Sequence, residues 1–301
     1  MLRGTCLVVA LGLFAAPAAP QEKYAIRSYE PKKGDRARET DEETEVFRLK
    51  VIDDQGDTKE EKQEKTVKSH AFKETILEKP DGKRATRLRR EYEKARVAKD
   101  GKERTLPYEG KTVLIEKKGD RYRFQIEGGK PLAGKDAEEL NKEFNEFNID
   151  TSKLDKLMVP EKPVAVGEGW EIDAAAVVKE LLSGNEDIAV DVPRAKVTGK
   201  LVRAYRKDGK QFGVLEYMLD LPLKAFKVED EKIPLLAGSK MFLKVEIDGC
   251  IDGSDVTADV KVTGGMSVSA VIKDEDGKAK AKMNLSTDVS GKETHRPLQG
   301  K

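Results

Sequence analysis

The chain is short of the residue types that most often carry chemistry. Its 301 residues include two cysteines, two histidines and one tryptophan, and aromatic residues make up only 6%. His70 and His295 lie far apart, so no histidine pair has metal-ligand spacing. Charge of one sign is missing too, since 57 Lys+Arg stand against 56 Asp+Glu. That balance removes the net basic field on which binding to nucleic acid or to an anionic membrane depends. There is no Walker-type phosphate loop and no Gly-x-Ser-x-Gly nucleophile elbow.

What the chain has in quantity is mixed charge. Asp, Glu, Lys and Arg together make up 38% of it, well above the ~25% of ordinary domains. The two signs alternate closely, as in Lys59-Glu60-Glu61-Lys62-Gln63-Glu64-Lys65, which is the pattern of a solvated face.

The N-terminus reads as an export signal. Met1-Leu2-Arg3 is a short positive start, and Cys6 to Ala15 form an apolar run of about ten residues. That run is shorter than the ~20 residues that span a bilayer. Ala16-Pro17-Ala18-Ala19-Pro20 supplies the small residues that a signal peptidase accepts. Cleavage after Ala18 is expected, because cleavage after Ala19 would leave Pro20 first. Cys6 precedes the apolar run, which excludes a lipidated cysteine at that position. Loss of residues 1–18 leaves acids and bases equal in number and Cys250 as the one thiol. The expected product is a periplasmic or extracellular protein with no disulfide and no transmembrane segment.

Asp-Gly dipeptides punctuate the rest, and Gly accepts the positive φ of a two-residue hairpin turn. They occur at Asp81-Gly82, Asp100-Gly101, Asp208-Gly209, Asp248-Gly249, Asp252-Gly253 and Asp276-Gly277, with Lys118-Gly119-Asp120 as a related turn. The flanks alternate with period two. Met241, Leu243, Val245 and Ile247 share one face, as do Val256, Ala258, Val260 and Val262. Met266, Val268, Ala270 and Ile272 follow after Gly264-Gly265, and Ala279, Ala281, Met283 and Leu285 complete four strands of a meander. One-sided alternation is an antiparallel habit. Hairpins are expected over 195–205 with 211–221 and over 111–116 with 121–126, and further strands over 24–30, 44–52, 64–77 and 84–98. Arg84 to Lys99 also suits a helix, but the Asp-Gly turns that bracket it favour a strand.

The middle is helical. Ala137, Leu140, Phe144 and Phe147 recur at helical steps, with Asp136 placed to supply an N-cap oxygen. A second helix is expected from Asp173 through Val177, Val178, Leu181 and Leu182, stopped by Ser183-Gly184.

Candidate chemistry is thin. His70 sits in a charged strand, His295 in a polar tail, and Cys250 has no base nearby in the sequence. Acidic turns at Asp53-Asp54-Gln55-Gly56-Asp57 and Asp274-Glu275-Asp276-Gly277 do not complete a calcium loop. Arg84-Ala85-Thr86-Arg87-Leu88-Arg89-Arg90, near Tyr92, is the closest approach to a nucleic-acid stripe, but export and zero net charge argue against it. No residue is put forward as catalytic, cofactor-binding or metal-binding, and no cofactor is expected. A buried cluster of acids around His70 would revive an enzyme reading.

Pro160-Glu161-Lys162-Pro163-Val164-Ala165-Val166-Gly167-Glu168-Gly169-Trp170 combines helix breakers, a short alternating strand, a turn and a large aromatic anchor. It resembles the Pro-x-x-Pro-Val-x-Val-Gly-x-x-Trp element of uncharacterised bacterial secreted proteins built largely of β-strands. Gly110-Lys111-Thr112-Val113 and the hairpin and helix after it are similar to the same group, so the resemblance covers about Arg84 to Ile172. It implies an exported bacterial protein and brings no activity and no catalytic residue.

The expected fold is mainly β (α+β), with long curved antiparallel sheets, two half-barrel-like units and two short helices in the middle. The units are placed at 19–165 and 166–292, with a polar tail at 293–301. The expected role is a non-enzymatic binding module holding an apolar small ligand or peptide in an internal apolar pocket of about 300–1,000 Å³. The alternative is a structural or interaction protein of the cell envelope that meets other macromolecules through charged strand faces. An enzyme of unknown type stands third.

Overall fold

The computed structural model describes residues 21–81, 83–146, 151–183, 187–228, 231–273 and 278–298. The expected export signal with Cys6, Gly82, Phe147, Gly184 and the acidic segment at 274–277 lie outside them. The chain is 63% strand and 11% helical, which makes it mainly β, and its large antiparallel sheet does not close into a barrel.

Ten strands of six residues or more carry the described fold. The first five are β1 (Arg36–Asp53), β2 (Thr58–Glu78), β3 (Arg87–Lys99), β4 (Thr112–Lys118) and β5 (Arg121–Ile126). The second five are β6 (Lys196–Lys207), β7 (Lys210–Val228), β8 (Lys240–Cys250), β9 (Ala258–Lys273) and β10 (Ala279–Pro297). Each set is a meander, and the order across the sheet is β6-β7-β8-β9-β10-β1-β2-β3-β4-β5. The last long strand therefore lies beside the first. Their antiparallel seam runs from Ala281 opposite Asp53 to Pro297 opposite Ala37. Short strands finish the edges, Gly169–Glu171 beside β6 and Pro131–Leu132 beside β5.

The seam corrects the expected tail. Glu293 to Pro297 continue β10, because their backbone groups have a complete ladder to make with Ala37 to Asp41. It also joins the two expected halves in one sheet.

Three short helices interrupt the chain between the meanders: α1 (Glu138–Asn141), continued by a π-helical turn over Lys142–Glu146, α2 (Thr151–Met158) and α3 (Ala174–Leu181). Asp173 caps α3 as expected, its Oδ1 accepting from the backbone N–H of Ala175 and Ala176. Asp136 does not cap α1. It belongs to a 3₁₀ turn ahead of the helix, which leaves Ala137 at the N-cap without a side-chain bond. The helix α2 was not foreseen, being one short amphipathic stretch whose Leu154, Leu157 and Met158 pack on the second core.

Two apolar cores result. Leu140 and Phe144 pack with Phe72, Leu88, Tyr92, Val113, Ile115, Tyr122 and Phe124. Val177 and Val178 of α3 pack with Val197, Leu201, Leu215, Tyr217, Leu219 and Leu221. Strand register places all of these sheet residues on the same face. One face therefore bears both helical covers, one at each end of the sheet.

Two glycine motifs behave differently from their sequence reading. Gly264-Gly265 is no turn but the middle of β9, so two of the expected strands are one. A Cβ on Gly264 would lie 2.7 Å from the carbonyl oxygen of Phe242, and one on Gly265 would overlap that of Thr287. The pair is there because neighbouring backbones approach too closely for a side chain. Asp248-Gly249 likewise lies inside β8, where a Cβ on Gly249 would sit 2.9 Å from the carbonyl of Thr257.

Candidate functional site

Between the two helical covers lies a strip of the helix-bearing face that follows the seam, called the trough below. Its rows follow from the register across β9, β10, β1 and β2. They begin with Ala258–His295–Glu39–Phe72, Val260–Glu293–Asp41–His70 and Val262–Gly291–Glu43–Lys68. Gly264–Val289–Glu45–Thr66 comes next, then Met266–Thr287–Phe47–Glu64, Val268–Leu285–Leu49–Lys62 and Ala270–Met283–Val51–Glu60. With a rise of ~3.4 Å per residue, the trough is about 40 Å long. The first rows are ionic, whereas in the last three β9, β10 and β1 supply mainly apolar side chains beside Glu64, Lys62 and Glu60 of β2.

At the ionic end, each strong cation is shared by two carboxylates. His295 lies with Nε2 3.0 Å from Glu293 Oε1 and Nδ1 3.7 Å from Glu39 Oε1. Lys68 Nζ is 3.4 Å from both Glu43 and Glu139. Arg90 places Nε 2.6 Å from Glu74 and Nη1 2.8 Å from Glu143, with its guanidinium 4.2 Å from the Phe72 ring centre. Asp41 Oδ2 stands 3.5 Å from His70 Nδ1, and His70 meets the Tyr92 ring edge-on.

The charges respond to this crowding. Burial alone would lower the His295 imidazole, but Glu293 and Glu39 overcome it and push it up to about 10. Burial would likewise raise Glu39, but the neighbouring His295 and the charge of Arg90 hold it below the usual carboxylate range. Glu74 goes the other way. Its burial outweighs the attraction of Arg90, and the nearby Glu39 and Glu143 add to the rise.

At the apolar end, Phe47, Leu49, Val51, Met266, Met283 and Leu285 are half-buried, while Val268 and Ala270 are fully buried. None of them belongs to either core. They form an apolar band across three adjacent strands on the face that carries the helices, with Thr287 as its one polar member, between Met266 and Phe47.

The enzyme reading asked for acids around His70, and Asp41 is there. General acid–base work needs a group that exchanges its proton near the working pH. His295 is instead fixed as an imidazolium between two carboxylates. The Nε2 of His70 is buried and makes no hydrogen bond among the described residues. Glu39, Glu293 and His295 do bring one ligand atom each within 4.8 Å of one another, a spacing that can hold a metal ion. The protonated imidazole already supplies positive charge there.

No family model matches the chain. No curated protein matches it either. Among solved structures, it aligns with the crystal structure of the P. putida toluene transporter TodX at 7% identity, covering 89% of this chain and 91% of that one. The TM-score of 0.16 is too low for that alignment to carry any argument.

The other sequence candidates fall elsewhere. Cys250 is half-buried, with Sγ 3.1 Å from Asp252 Oδ1. The basic run from Arg84 to Arg90 is dispersed. Arg89 pairs with Glu127 and Glu91, Arg90 is buried in the trough network, and Arg84 lies over the Tyr122 and Phe144 rings. Two grooves, of about 320 Å³ and 700 Å³, are open and lined mainly by polar and charged side chains, including Arg48, Lys50, Ser267 and Asn284 in the first and Arg121, Lys135 and Asn145 in the second. Neither is the enclosed apolar pocket that was expected. The apolar surface lies in an open trough, because the helices cover the two ends of the sheet and leave its centre.

Sequence reasoning missed Glu39, Asp41, Glu43 and Glu45 as a group. Their signal was present: acids at every second position of a strand must share one face.

Proposed function

We propose that this is an exported, non-catalytic binding module that holds an elongated amphiphile along the seam trough. One observation carries the reading. The apolar patch of Phe47, Leu49, Val51, Met283 and Leu285 belongs to neither core and adjoins an ionic end. From Val289 to Met283 the band extends about 20 Å, somewhat more than the ~15 Å of one leaflet's hydrocarbon. A long alkyl chain fits that length. Apolar area removed from water at ~25 cal/mol per Å² provides the drive, and the trough's polar end gives the ligand a direction.

Native mass spectrometry of the protein from its own host tests the reading. The expected result is an adduct with the mass of an amphiphile, lost in Leu49→Lys while circular dichroism stays unchanged. Protein that carries no adduct and shows no saturable binding of a long-chain alkyl probe overturns it.

A further inference from the structure

We infer that the head group of this ligand is cationic, an ammonium or guanidinium that seats against Glu45 where the ionic end meets the apolar band. The inference rests on the binding role proposed above and names the chemistry of the ligand's polar end.

Glu45 is half-buried and points to the trough, between Val289 on β10 and Thr66 on β2. Of the four β1 carboxylates on this face, it is the one with no side-chain partner among the described residues. Glu39, Asp41 and Glu43 all have one. The cations nearest in register are already engaged. Lys68, one row away, bridges Glu43 and Glu139, and Lys99, opposite Thr66, is 2.7 Å from Glu64. Further along, His295 and Arg90 are each divided between two carboxylates. The trough thus carries excess negative charge at the point where the apolar band begins.

Space is available there as well. Gly291, opposite Glu43 and diagonal to Glu45, has no side chain, and a Cβ built on it would meet nothing nearer than the Glu42 carbonyl at 3.5 Å. A neutral head seated at this place would leave the Glu45 carboxylate desolvated without a partner. An anionic head would face Glu43 and Glu45 with no free cation in the adjoining rows. A cation satisfies Glu45 and reduces the local excess of charge.

The test compares dodecyltrimethylammonium, dodecyl maltoside and dodecanoate, each below micelle formation, by titration calorimetry on the whole protein and on Glu45→Gln. The cationic probe is expected to bind roughly fivefold more tightly than the neutral one, the size of a partly exposed ion pair, and dodecanoate most weakly. Glu45→Gln is expected to erase the cationic advantage while the maltoside binds at least as tightly as it does to the parent, which also shows that the variant is folded. Equal binding of the three probes, or preference for dodecanoate, overturns the head-group assignment and leaves the binding role standing. A cationic preference that survives in Glu45→Gln overturns the placement at Glu45. Failure of all three to bind defeats the binding role and the assignment together.

Discussion

The indole of Trp170 fills the space that a side chain on its register partner Gly199 would need. Its Nε1 donates to the Met158 carbonyl at 3.0 Å, and its ring meets Tyr217 edge-on, so this residue ties the end of helix α2 to the sheet. Gly199→Ala forces the ring out or shifts the strand, at about 1–3 kcal/mol. The chain has a single tryptophan, so fluorescence reads the site directly. Urea unfolding should show the loss, with red-shifted native emission. Parental stability with unshifted emission would contradict the packing.

Arg90 anchors the other core from beneath α1. Arg90→Leu leaves the buried Glu74 without its cation, a change that typically costs about 3–5 kcal/mol. Adding Glu74→Gln should recover part of that loss, since the variant no longer buries an unpaired acid. Equilibrium unfolding of the two single variants and the double variant measures the coupling. Strictly additive losses would show that the pair is not a unit.

The imidazolium of His295 makes stability depend on alkaline pH. Folding raises this group from about 6.5 to about 10 through Glu293 and Glu39, against the effect of burial. The folded chain therefore holds the proton more tightly than the unfolded chain. The contribution is complete below pH ~6.5 and is lost as pH rises through about 10. His295→Gln should flatten the decline of the urea midpoint across that window. An unchanged slope in the variant would rule this group out as its source.

Gly265 is a close-approach position, not a hinge. Gly265→Val should destabilise the chain by at least about 1–3 kcal/mol, because the obstructing atom is the backbone carbonyl of Thr287 and cannot rotate away. Thermal unfolding decides it, and a variant as stable as the parent would mean that the strands can separate there at no cost.

Local pattern made most of the strands legible. Period-two alternation marked β6 to β10 and bracketing turns marked β3, and Asp100-Gly101 and Asp208-Gly209 do adopt positive φ at both residues, with values of 48° and 79°, and 51° and 78°. The seam was not legible. Ser290 pairs with Thr44, and nothing local to either residue encodes a partner at that separation. The trough was hidden for the same reason, since His295 and Glu39 meet only through the seam. Gly264-Gly265 was misread because a glycine pair signals a turn and a close approach equally well. The even-numbered phase of Val260, Val262, Met266 and Val268, unbroken across the pair, was the clue to a single strand.

Pairing of the first long ribbon with the last has a consequence for biosynthesis. A chain that has emerged only as far as the first meander exposes β1 with one whole side unmatched, and its complement β10 begins only at Ala279. Contacts that span almost the entire polypeptide form slowly. The sheet is thus joined along this seam only once β10 exists, and until then β1 is an unmatched edge open to pairing with other chains.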